Sequence, residues 1–128
     1  MNIPDDLKYT RDDEWIRVAG DEGEIGITDY AQDHLSDIVY VELPEVGKVV
    51  NVHDGVGTIE SVKAAADIYS PVSGTITAVN DSLPDSPELV NKDPYGQAWM
   101  VRIKLSNPSE LDALMDAAAY QKYCEERG

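Results

Sequence analysis

The fold and the chemistry of this chain are decided by the stretch Gly57-Thr58-Ile59-Glu60-Ser61-Val62-Lys63-Ala64-Ala65-Ala66-Asp67-Ile68-Tyr69-Ser70-Pro71-Val72-Ser73-Gly74. Two β-type runs flank residues 61–66, and Lys63 lies near the middle of that segment. The pattern predicts two strands joined by a turn, with the lysine projecting from its tip. Such a lysine presents a hydrated ammonium on a flexible stem, and acylation would turn it into an uncharged tether. The segment lacks the Asn-Gly or Asp-Gly pair typical of tight hairpins, so a merely solvated lysine stays an alternative.

Further short β-type segments lie on both sides of this stretch. They span residues 15–18, 24–27, 38–43, 56–61, 74–79 and 99–104. Turn-forming Gly, Pro and Asp residues separate many of them, as in the cluster 20–23. Many short strands at close spacing are typical of sandwiches and barrels and not of βαβ units. The predicted fold class is therefore mainly β, as a flattened barrel or sandwich.

Helices are predicted at two places outside these strands. Thr28 is suited to cap a short helix near residues 29–35, with Asp29 in its first turn. In the C-terminal segment, Asn107, Pro108 and Glu110 have the order of an N-cap, a first helical residue and a capping-box acid. The apolar residues that follow at helical spacing are Leu111, Leu114, Met115 and Ala118, and then Tyr120, Tyr123 and Cys124. We expect either one helix or a broken pair of helices over about 107–126, packed on the sheet.

Length and charge limit the classes of function. The 128 residues fit one domain, 1–128, with a β core over about 15–104. Twenty-five acidic against ten basic residues give a net charge of −15, which disfavours binding to nucleic acid or anionic membranes and favours basic partner surfaces. No apolar run approaches the roughly 18 to 20 residues that cross a bilayer. The first residues are unlike a signal peptide, and we expect a cytoplasmic monomer.

Metal and catalytic sites are not predicted. The single cysteine, Cys124, cannot form an internal disulfide, and neither it nor His34 and His53 have metal-ligand spacing. Acids are plentiful, but none stands in a recognised catalytic frame. An enzyme that uses paired carboxylates therefore has little support.

Several motifs together resemble one protein family. Glu60-Ser61-Val62-Lys63-Ala64 resembles the lipoylation motif of glycine cleavage system H proteins, a lipoyl-carrier family, and Ser70-Pro71-Val72-Ser73-Gly74 is similar to the turn and strand that follow it there. Segments 26–33, 39–44, 89–91, 94–96 and 99–100 resemble further family signatures, in order and at family-like spacing. The resemblance covers nearly the whole chain. It implies a barrel-sandwich hybrid fold of the lipoyl-domain type and a carrier that is not itself an enzyme.

The resemblance implies a cofactor and a set of partners. Lipoate would be joined to Lys63 through an amide, by a lipoate ligase or an octanoyl or lipoyl transferase. The arm would take the aminomethyl group of glycine at the pyridoxal-phosphate-dependent decarboxylase, the P protein. It would pass this group to tetrahydrofolate at the aminomethyltransferase, the T protein, and be reoxidised at dihydrolipoyl dehydrogenase, the L protein. The partners' cofactors supply the chemistry, and the carrier supplies tethering and orientation.

The resemblance also implies acids that hold the loaded arm. A cleft that limits water and pairs the aminomethyl ammonium with carboxylates would protect this group. Glu14 and Asp67 resemble the two acids of the family, and His34 would lie near the arm. Asp12 stands where the family often has a small hydroxyl residue, so its role stays open. Without the family, residues 12–14 would be interpreted as a solvated acidic run.

Three related functions stay open as alternatives. The lipoyl domains of 2-oxo acid dehydrogenase acyltransferases usually have Asp before the modified lysine, where this chain has Val62. Biotin carriers normally have Met on both sides of the lysine, where this chain has Val62 and Ala64. A role in relaying lipoyl groups to other apo-proteins is compatible with the family.

Overall fold

The computed structural model describes residues 1–127, which form two antiparallel β-sheets with short helices at their margins. The strands are β1 Lys8–Tyr9, β2 Glu14–Ala19, β3 Glu22–Ile27, β4 Ile38–Glu42, β5 Val49–Val50, β6 Gly55–Ser61, β7 Ala65–Tyr69, β8 Gly74–Val79 and β9 Val101–Leu105. The helices are α1 Asp29–Leu35, α2 Ser82–Asp85, α3 Leu89–Lys92 and α4 Ala117–Arg127, with a 3-10 helix at Pro108–Ala113. The predicted mainly β class is confirmed.

The two sheets differ in size, and the smaller one contains the hairpin around Lys63. Six strands in the order β1-β2-β3-β9-β8-β5 form the larger sheet of residues 1–127, and β4-β6-β7 form the smaller one. Strands β6 and β7 are neighbours in sequence and in space, with Glu60 opposite Ala65 and Thr58 opposite Asp67. The hairpin predicted around Lys63 therefore belongs to the smaller sheet, and its turn lies beyond Glu60 and Ala65.

The hairpin β2–β3 shows why glycine is needed at two positions of the larger sheet. Ala19 pairs with Glu22, so the turn is the two residues Gly20-Asp21, and Gly20 has the left-handed φ of +65°. Across the same hairpin, Trp15 pairs with Gly26, and a Cβ at Gly26 would lie 2.7 Å from the buried indole ring. The absence of a side chain at Gly26 is what allows Trp15 to lie flat against the strand.

Two apolar clusters hold the sheets and the C-terminal helix in place. The main core lies between the sheets and contains Ile16, Ile25, Val41, Val56, Ile59, Ile68, Ile76, Val101 and Ile103, among others. The second cluster joins α4 to the larger sheet and contains Leu7, Tyr9, Trp15, Tyr95, Ala117, Tyr120 and Cys124. In it the rings of Tyr9 and Tyr120 stack with centroids 4.6 Å apart. The predicted apolar face of Tyr120, Tyr123 and Cys124 is thus the face that packs on the sheet.

The helix predicted near residues 29–35 is confirmed with its cap. Thr28 has extended backbone angles, and its Oγ1 accepts a hydrogen bond from the amide of Ala31. Asp29 lies in the first turn, as predicted. Among the helices of residues 1–127, none combines the length and the apolar character needed to cross a membrane.

The C-terminal segment is a broken pair of helices, and its predicted start is confirmed, because the 3-10 helix begins at Pro108 with Asn107 in the N-cap position. The capping roles predicted for the Asn107 and Glu110 side chains are wrong. Asn107 Oδ1 accepts a bond from Ser109 Oγ and does not cap the helix, and Glu110 bonds the amide and hydroxyl of Ser73, at 2.8 Å each. Leu114 is extended, and Met115 forms a β-bridge with Tyr9. The continuous apolar face over 111–118 is therefore wrong as well, because pairing with β1 interrupts the helix between its two halves.

Candidate functional site

The turn that carries Lys63 is organised by one hydroxyl group. Ser61 Oγ accepts hydrogen bonds from the amides of Lys63, at 3.2 Å, and Ala64, at 3.0 Å. It also donates to the carbonyl of Ala64, and the amide of Ser61 donates to the same oxygen at 2.7 Å. Lys63 is exposed at the apex of this turn. Serine at this place therefore fixes the backbone while leaving the lysine side chain in solvent.

The turn is also tied to the end of α1. The amide of Val62 donates to the carbonyl of Asp37 at 3.0 Å, just before Ile38 pairs with Ser61. Asn91 holds the connection between α1 and β4 in place. Its Oδ1 accepts a hydrogen bond from the amide of Ile38, and its Nδ2 donates one to the carbonyl of Ser36. The lysine turn and the last turn of α1 therefore lie side by side.

His34 lies in that last turn of α1. Its Nδ1 is 2.9 Å from the carbonyl of Tyr30, and its ring stacks on the Tyr30 ring at 4.1 Å. The imidazole is exposed. The structure thus places His34 on the same end of the molecule as Lys63, without a contact that assigns it a chemical role.

Exposed apolar side chains and acids surround the lysine turn. Val62 is 66% exposed, and Val39 and Tyr40 on β4 are also large exposed side chains. Glu60 flanks them from β6, and the hydroxyl of Tyr40 donates to Glu42 at 2.9 Å, which raises the pKa of Tyr40. Since isolated exposed apolar residues are common but a cluster beside one reactive group is not, this face is suited to contact a partner.

Asp67 lies on β7, four residues beyond the lysine. Its carboxylate is exposed and accepts a long bond of 3.4 Å from Thr58 Oγ1 on the neighbouring strand. It borders a shallow cavity of about 360 Å³ that Lys48 and Tyr69 also line. The carboxylate is available to a cation that approaches along the hairpin.

Glu14 has the opposite environment. It begins β2, is only 1% exposed, and accepts bonds from Thr10 Oγ1 at 2.7 Å and from the amide of Tyr69 at 3.2 Å. The pKa of the Glu14 carboxyl is raised to about 7. Burial is the main cause and the charges of Asp12 and Asp13 add to it, while the hydrogen bonds from Thr10 and Tyr69 act in the opposite direction. Both protonation states are therefore populated near neutral pH.

Glu14 lines an apolar-walled cavity of about 390 Å³. Its apolar lining is supplied by Val52, Pro71, Ala113, Leu114 and Met115, and its polar lining by Thr10, Arg11, Asp12, Glu14, His53, Ser70 and Glu110. A carboxyl group at the side of such a cavity can pair with a cationic group while the remaining walls limit the access of water.

The structure does not bring Glu14 and Asp67 into one pocket. They line two different cavities, and Tyr69 stands between them: its amide bonds Glu14, and the residue lines the cavity of Asp67. The interpretation of residues 12–14 as a uniformly solvated run is wrong. Asp13 accepts bonds from both terminal nitrogens of Arg127, at 2.6 and 3.2 Å, and from the Tyr120 hydroxyl at 2.8 Å.

Sequence reasoning did not single out three residues that shape this region. Thr10 bonds Glu14, and Tyr69 lies between the two cavities. His53 stacks on Tyr69 at 4.4 Å, and its Nδ1 lies 3.3 Å from Asp12 Oδ2. Tyr69 and His53 act through contacts with residues distant in sequence, of which a local pattern carries no signal, whereas Thr10 lies only four residues before Glu14.

Comparison with known proteins places the whole chain in one family. The model of the glycine cleavage H-protein matches residues 7–127. A glycine cleavage system H protein of Symbiobacterium thermophilum is 53% identical over 125 residues, which cover 98% of each chain. The mitochondrial glycine cleavage system H protein of Flaveria trinervia is also 53% identical, over 98% of this chain and 76% of its own. The crystal structure of a glycine cleavage system H protein from Mycobacterium marinum has a TM-score of 0.87 at 36% identity, over 98% of this chain and 99% of its own, which agrees with the expected barrel-sandwich fold. This chain belongs to the glycine cleavage H-protein family.

Proposed function

We propose that this chain is a single-domain lipoyl carrier of the glycine cleavage system, with lipoate held as an amide on Lys63. The observation that carries the proposal is the exposed lysine at the apex of a turn fixed by Ser61, in a chain of this family. An amine in this position is open to an attaching enzyme, either a lipoate ligase or an octanoyl or lipoyl transferase. The chain itself would be a carrier and not a catalyst.

The dimensions of the hairpin support a tethered arm. The lysine side chain and an eight-carbon acyl group place about thirteen atoms in line, as many as roughly four residues of main chain, and so extend to ~14 Å. Asp67 follows Lys63 by four residues, or about 13 Å of extended strand. An arm that lies along β7 therefore reaches Asp67, and we propose that this exposed carboxylate meets the loaded arm.

We assign Glu14 the second part of the same task. Its carboxyl lines the apolar-walled cavity, and a bound ammonium would favour its ionised form and lower its pKa from about 7. A charge pair in such a sheltered place is stronger than one in open water. His34, beside the lysine turn, is proposed to lie along the path of the arm. The amine of the arm would then be held by Asp67 near the hairpin or by Glu14 in the deeper cavity.

The partners are proposed to be the three enzymes of the system. The arm would receive the aminomethyl group at the P protein, deliver it at the T protein and be reoxidised at the L protein. The net charge of −15 and the exposed Val39, Tyr40 and Val62 favour partner surfaces that combine basic and apolar groups. Tethering replaces free diffusion by a high local concentration once a partner is docked. The role would be carried out in the cytoplasm by a monomer.

The test is the substitution Lys63→Arg, which keeps the positive charge and removes the acylable amine. With the lipoate-attaching enzyme, intact mass should show one lipoyl adduct on the wild type and none on the variant. With purified P protein and glycine, only the lipoylated wild type should accept the aminomethyl group. Lys104→Arg, at an exposed lysine on β9, is the matched control and should behave as the wild type.

Two outcomes would reject the proposal in different ways. Glycine-dependent loading that persists in Lys63→Arg would exclude Lys63 as the attachment point. A lipoylated chain that is never loaded by the P protein, but is acylated by a 2-oxo acid dehydrogenase, would move the carrier to that other system. Transfer of the lipoyl group onward to other apo-proteins would add the relay role.

A further inference from the structure

Asn91 lies on α3 and directs its side-chain amide at the connection between α1 and β4. Its Oδ1 accepts a hydrogen bond from the amide of Ile38 at 2.9 Å, and its Nδ2 donates to the carbonyl of Ser36 at 2.9 Å and to Gln32 Oε1 at 3.0 Å. The neighbouring Val90 is fully buried in the main core, so α3 is a fixed support for these bonds. One side chain therefore holds three points of the connection.

The connection needs this support because the backbone of Ser36 is strained. Its φ is +67° and its ψ is −153°, a combination that is essentially confined to glycine. The amide of Ser36 donates to the carbonyl of Gln32 at 3.0 Å, and its carbonyl is the one that Asn91 holds. Loss of the bond from Asn91 would let Ser36 relax to an ordinary conformation and change the course of the chain at Asp37.

The lysine turn is attached to the residue after Ser36. The carbonyl of Asp37 accepts a hydrogen bond from the amide of Val62 at 3.0 Å, and Val62 directly precedes Lys63. The hydroxyl of Ser61 holds the turn together internally, whereas this bond holds it against the connection between α1 and β4. A change of course at Asp37 would therefore release the turn from its neighbour.

The adjacent strand pairing does not replace this attachment. Ile38 pairs with Ser61, but a bulge between Ile38 and Tyr40 separates that pair from the rest of the β4–β6 ladder. A bulge leaves one residue unpaired and disrupts the ladder locally, so the first pair depends on what else holds Ile38. That support is the hydrogen bond from its amide to Asn91 Oδ1.

We propose that Asn91 is a positioning residue for the modification of Lys63: through Ser36 and Asp37 it keeps the lysine turn in the place that a lipoate-attaching enzyme recognises. This inference rests on the proposed function. Attachment transfers the acyl group of lipoyl adenylate to Lys63 Nζ, so the amide C–N bond forms, the C–O bond to the phosphate breaks, and AMP and a proton leave. None of these atoms contacts Asn91, which acts only on the position of the turn.

A turn that visits other positions should bind the enzyme more weakly and react normally once it is bound. The apparent affinity falls with the fraction of chains that hold the competent conformation. Each lost hydrogen bond shifts such an equilibrium roughly fivefold, and the strain at Ser36 adds to the shift. We therefore expect Asn91→Ala to raise the KM for the chain several-fold and to leave kcat unchanged.

The first measurement needs no lipoate. Hydrogen exchange of the Val62 amide, followed by NMR, reports the bond between the lysine turn and the α1–β4 connection. We expect exchange at Val62 to be several-fold faster in Asn91→Ala than in the wild type. Lys92→Ala, at the exposed neighbour on α3, is the matched control and should leave the rate unchanged.

Ser36→Gly provides a rescue. Glycine adopts the backbone angles of Ser36 without strain, so the connection has less tendency to leave them when Asn91 is replaced. The double variant of Asn91→Ala with Ser36→Gly should recover part of the slow exchange at Val62 and part of the low KM, although no side-chain bond returns. Such a recovery would connect the effect of Asn91 to the backbone of the connection and not to general stability.

The second measurement follows attachment by a lipoate ligase with lipoate and ATP, as intact mass against time at several concentrations of the chain. The wild type and Lys92→Ala should share one KM, Asn91→Ala should have a KM several-fold higher at equal kcat, and the double variant should lie between them. If Asn91→Ala does not fold, Asn91→Asp takes its place, because it keeps the bond from the Ile38 amide and loses both donated bonds.

Two results would overturn the positioning role alone. They are unchanged exchange at Val62 in Asn91→Ala, and an unchanged KM in that variant while the wild type is lipoylated normally. A wild type that takes no lipoyl group on Lys63 would instead refute the proposed function, and the role in attachment with it.

Discussion

The buried carboxyl of Glu14 should make the stability of the fold depend on pH, and this can be tested without lipoate or partners. Its pKa rises from an ordinary value of 4.5 to about 7 in the fold. One pKa unit corresponds to about 1.4 kcal/mol, so the ionised form of this residue costs the fold about 3 kcal/mol. Because the folded pKa lies above the unfolded one, the folded chain binds more protons between these values. The contribution of Glu14 is fully present below about pH 4.5 and is lost as the pH rises through about 7.

Replacing Glu14 by Gln should remove this pH dependence. The glutamine oxygen can still accept from the Tyr69 amide, whereas the bond from the Thr10 hydroxyl is weakened, at about 1 kcal/mol. That loss is independent of pH. The variant should therefore be slightly less stable than the wild type at about pH 5. At about pH 8 it should be more stable by about 2 kcal/mol, which is the gain of about 3 kcal/mol less the loss of about 1 kcal/mol.

Denaturant unfolding at a series of pH values between these limits measures both chains directly. Glu45→Gln, at an exposed acid, is the control for removing one carboxyl group and should follow the wild type. A difference between wild type and Glu14→Gln that stays constant from about pH 5 to about pH 8 would refute the raised pKa. Such a result would also remove the argument that both charge states of Glu14 are available to an amine at neutral pH.

Two further substitutions test the frame around the site. Ser61→Ala removes three bonds of the lysine turn and should destabilise the fold by only about 1 kcal/mol, because the turn is exposed. It should slow lipoate attachment, as followed by intact mass against time, and Ser61→Thr should restore the rate; equal rates for Ser61→Ala and wild type would contradict a role of the hydroxyl. Arg127→Lys keeps the charge but loses the two-pronged contact with Asp13, and should lower the free energy of unfolding by about 1–2 kcal/mol. An unchanged unfolding midpoint would show that the last turn of α4 does not brace Asp13.

The hairpin and α1 could be predicted because their signals are local. Alternation over β6 and the capping residue Thr28 lie within the elements that they define. The start of the C-terminal segment at Pro108 was predicted for the same reason, but the capping bonds expected from its side chains do not form, for the opposite reason. Glu110 has the position of a capping acid, but Ser73, 37 residues away, offers its carboxylate two bonds. The apolar spacing over 111–118 was likewise overridden when Met115 paired with Tyr9.

The candidate site shows the same division. Lys63 and its exposure follow from the turn and its small neighbours, whereas residues 12–14 form an unbroken acidic run in sequence that gives no sign of their different surroundings. In the fold Asp12 meets His53, Asp13 meets Arg127, and Glu14 turns inward to the amide of Tyr69. Each partner lies at least 41 residues away in the sequence, and the shortest separation is that between Asp12 and His53. Three adjacent acids thus acquire three different roles from tertiary contacts alone.

Asp13 joins the C-terminal helix to the segment before β2 and, through Thr28, to α1. Its carboxylate binds Arg127 and the Tyr120 hydroxyl of α4, and its carbonyl accepts from the amide of Thr28. Thr28 Oγ1 in turn meets the Tyr120 hydroxyl at 2.7 Å and caps α1, whose last turn borders the lysine hairpin. The C-terminal helix thereby braces both the segment that presents Glu14 and the helix beside Lys63. If Lys63 carries an arm as proposed, its turn and the segment that presents Glu14 are therefore attached to one hydrogen-bonded frame, so the distance from the attachment point to that acid is set by the fold.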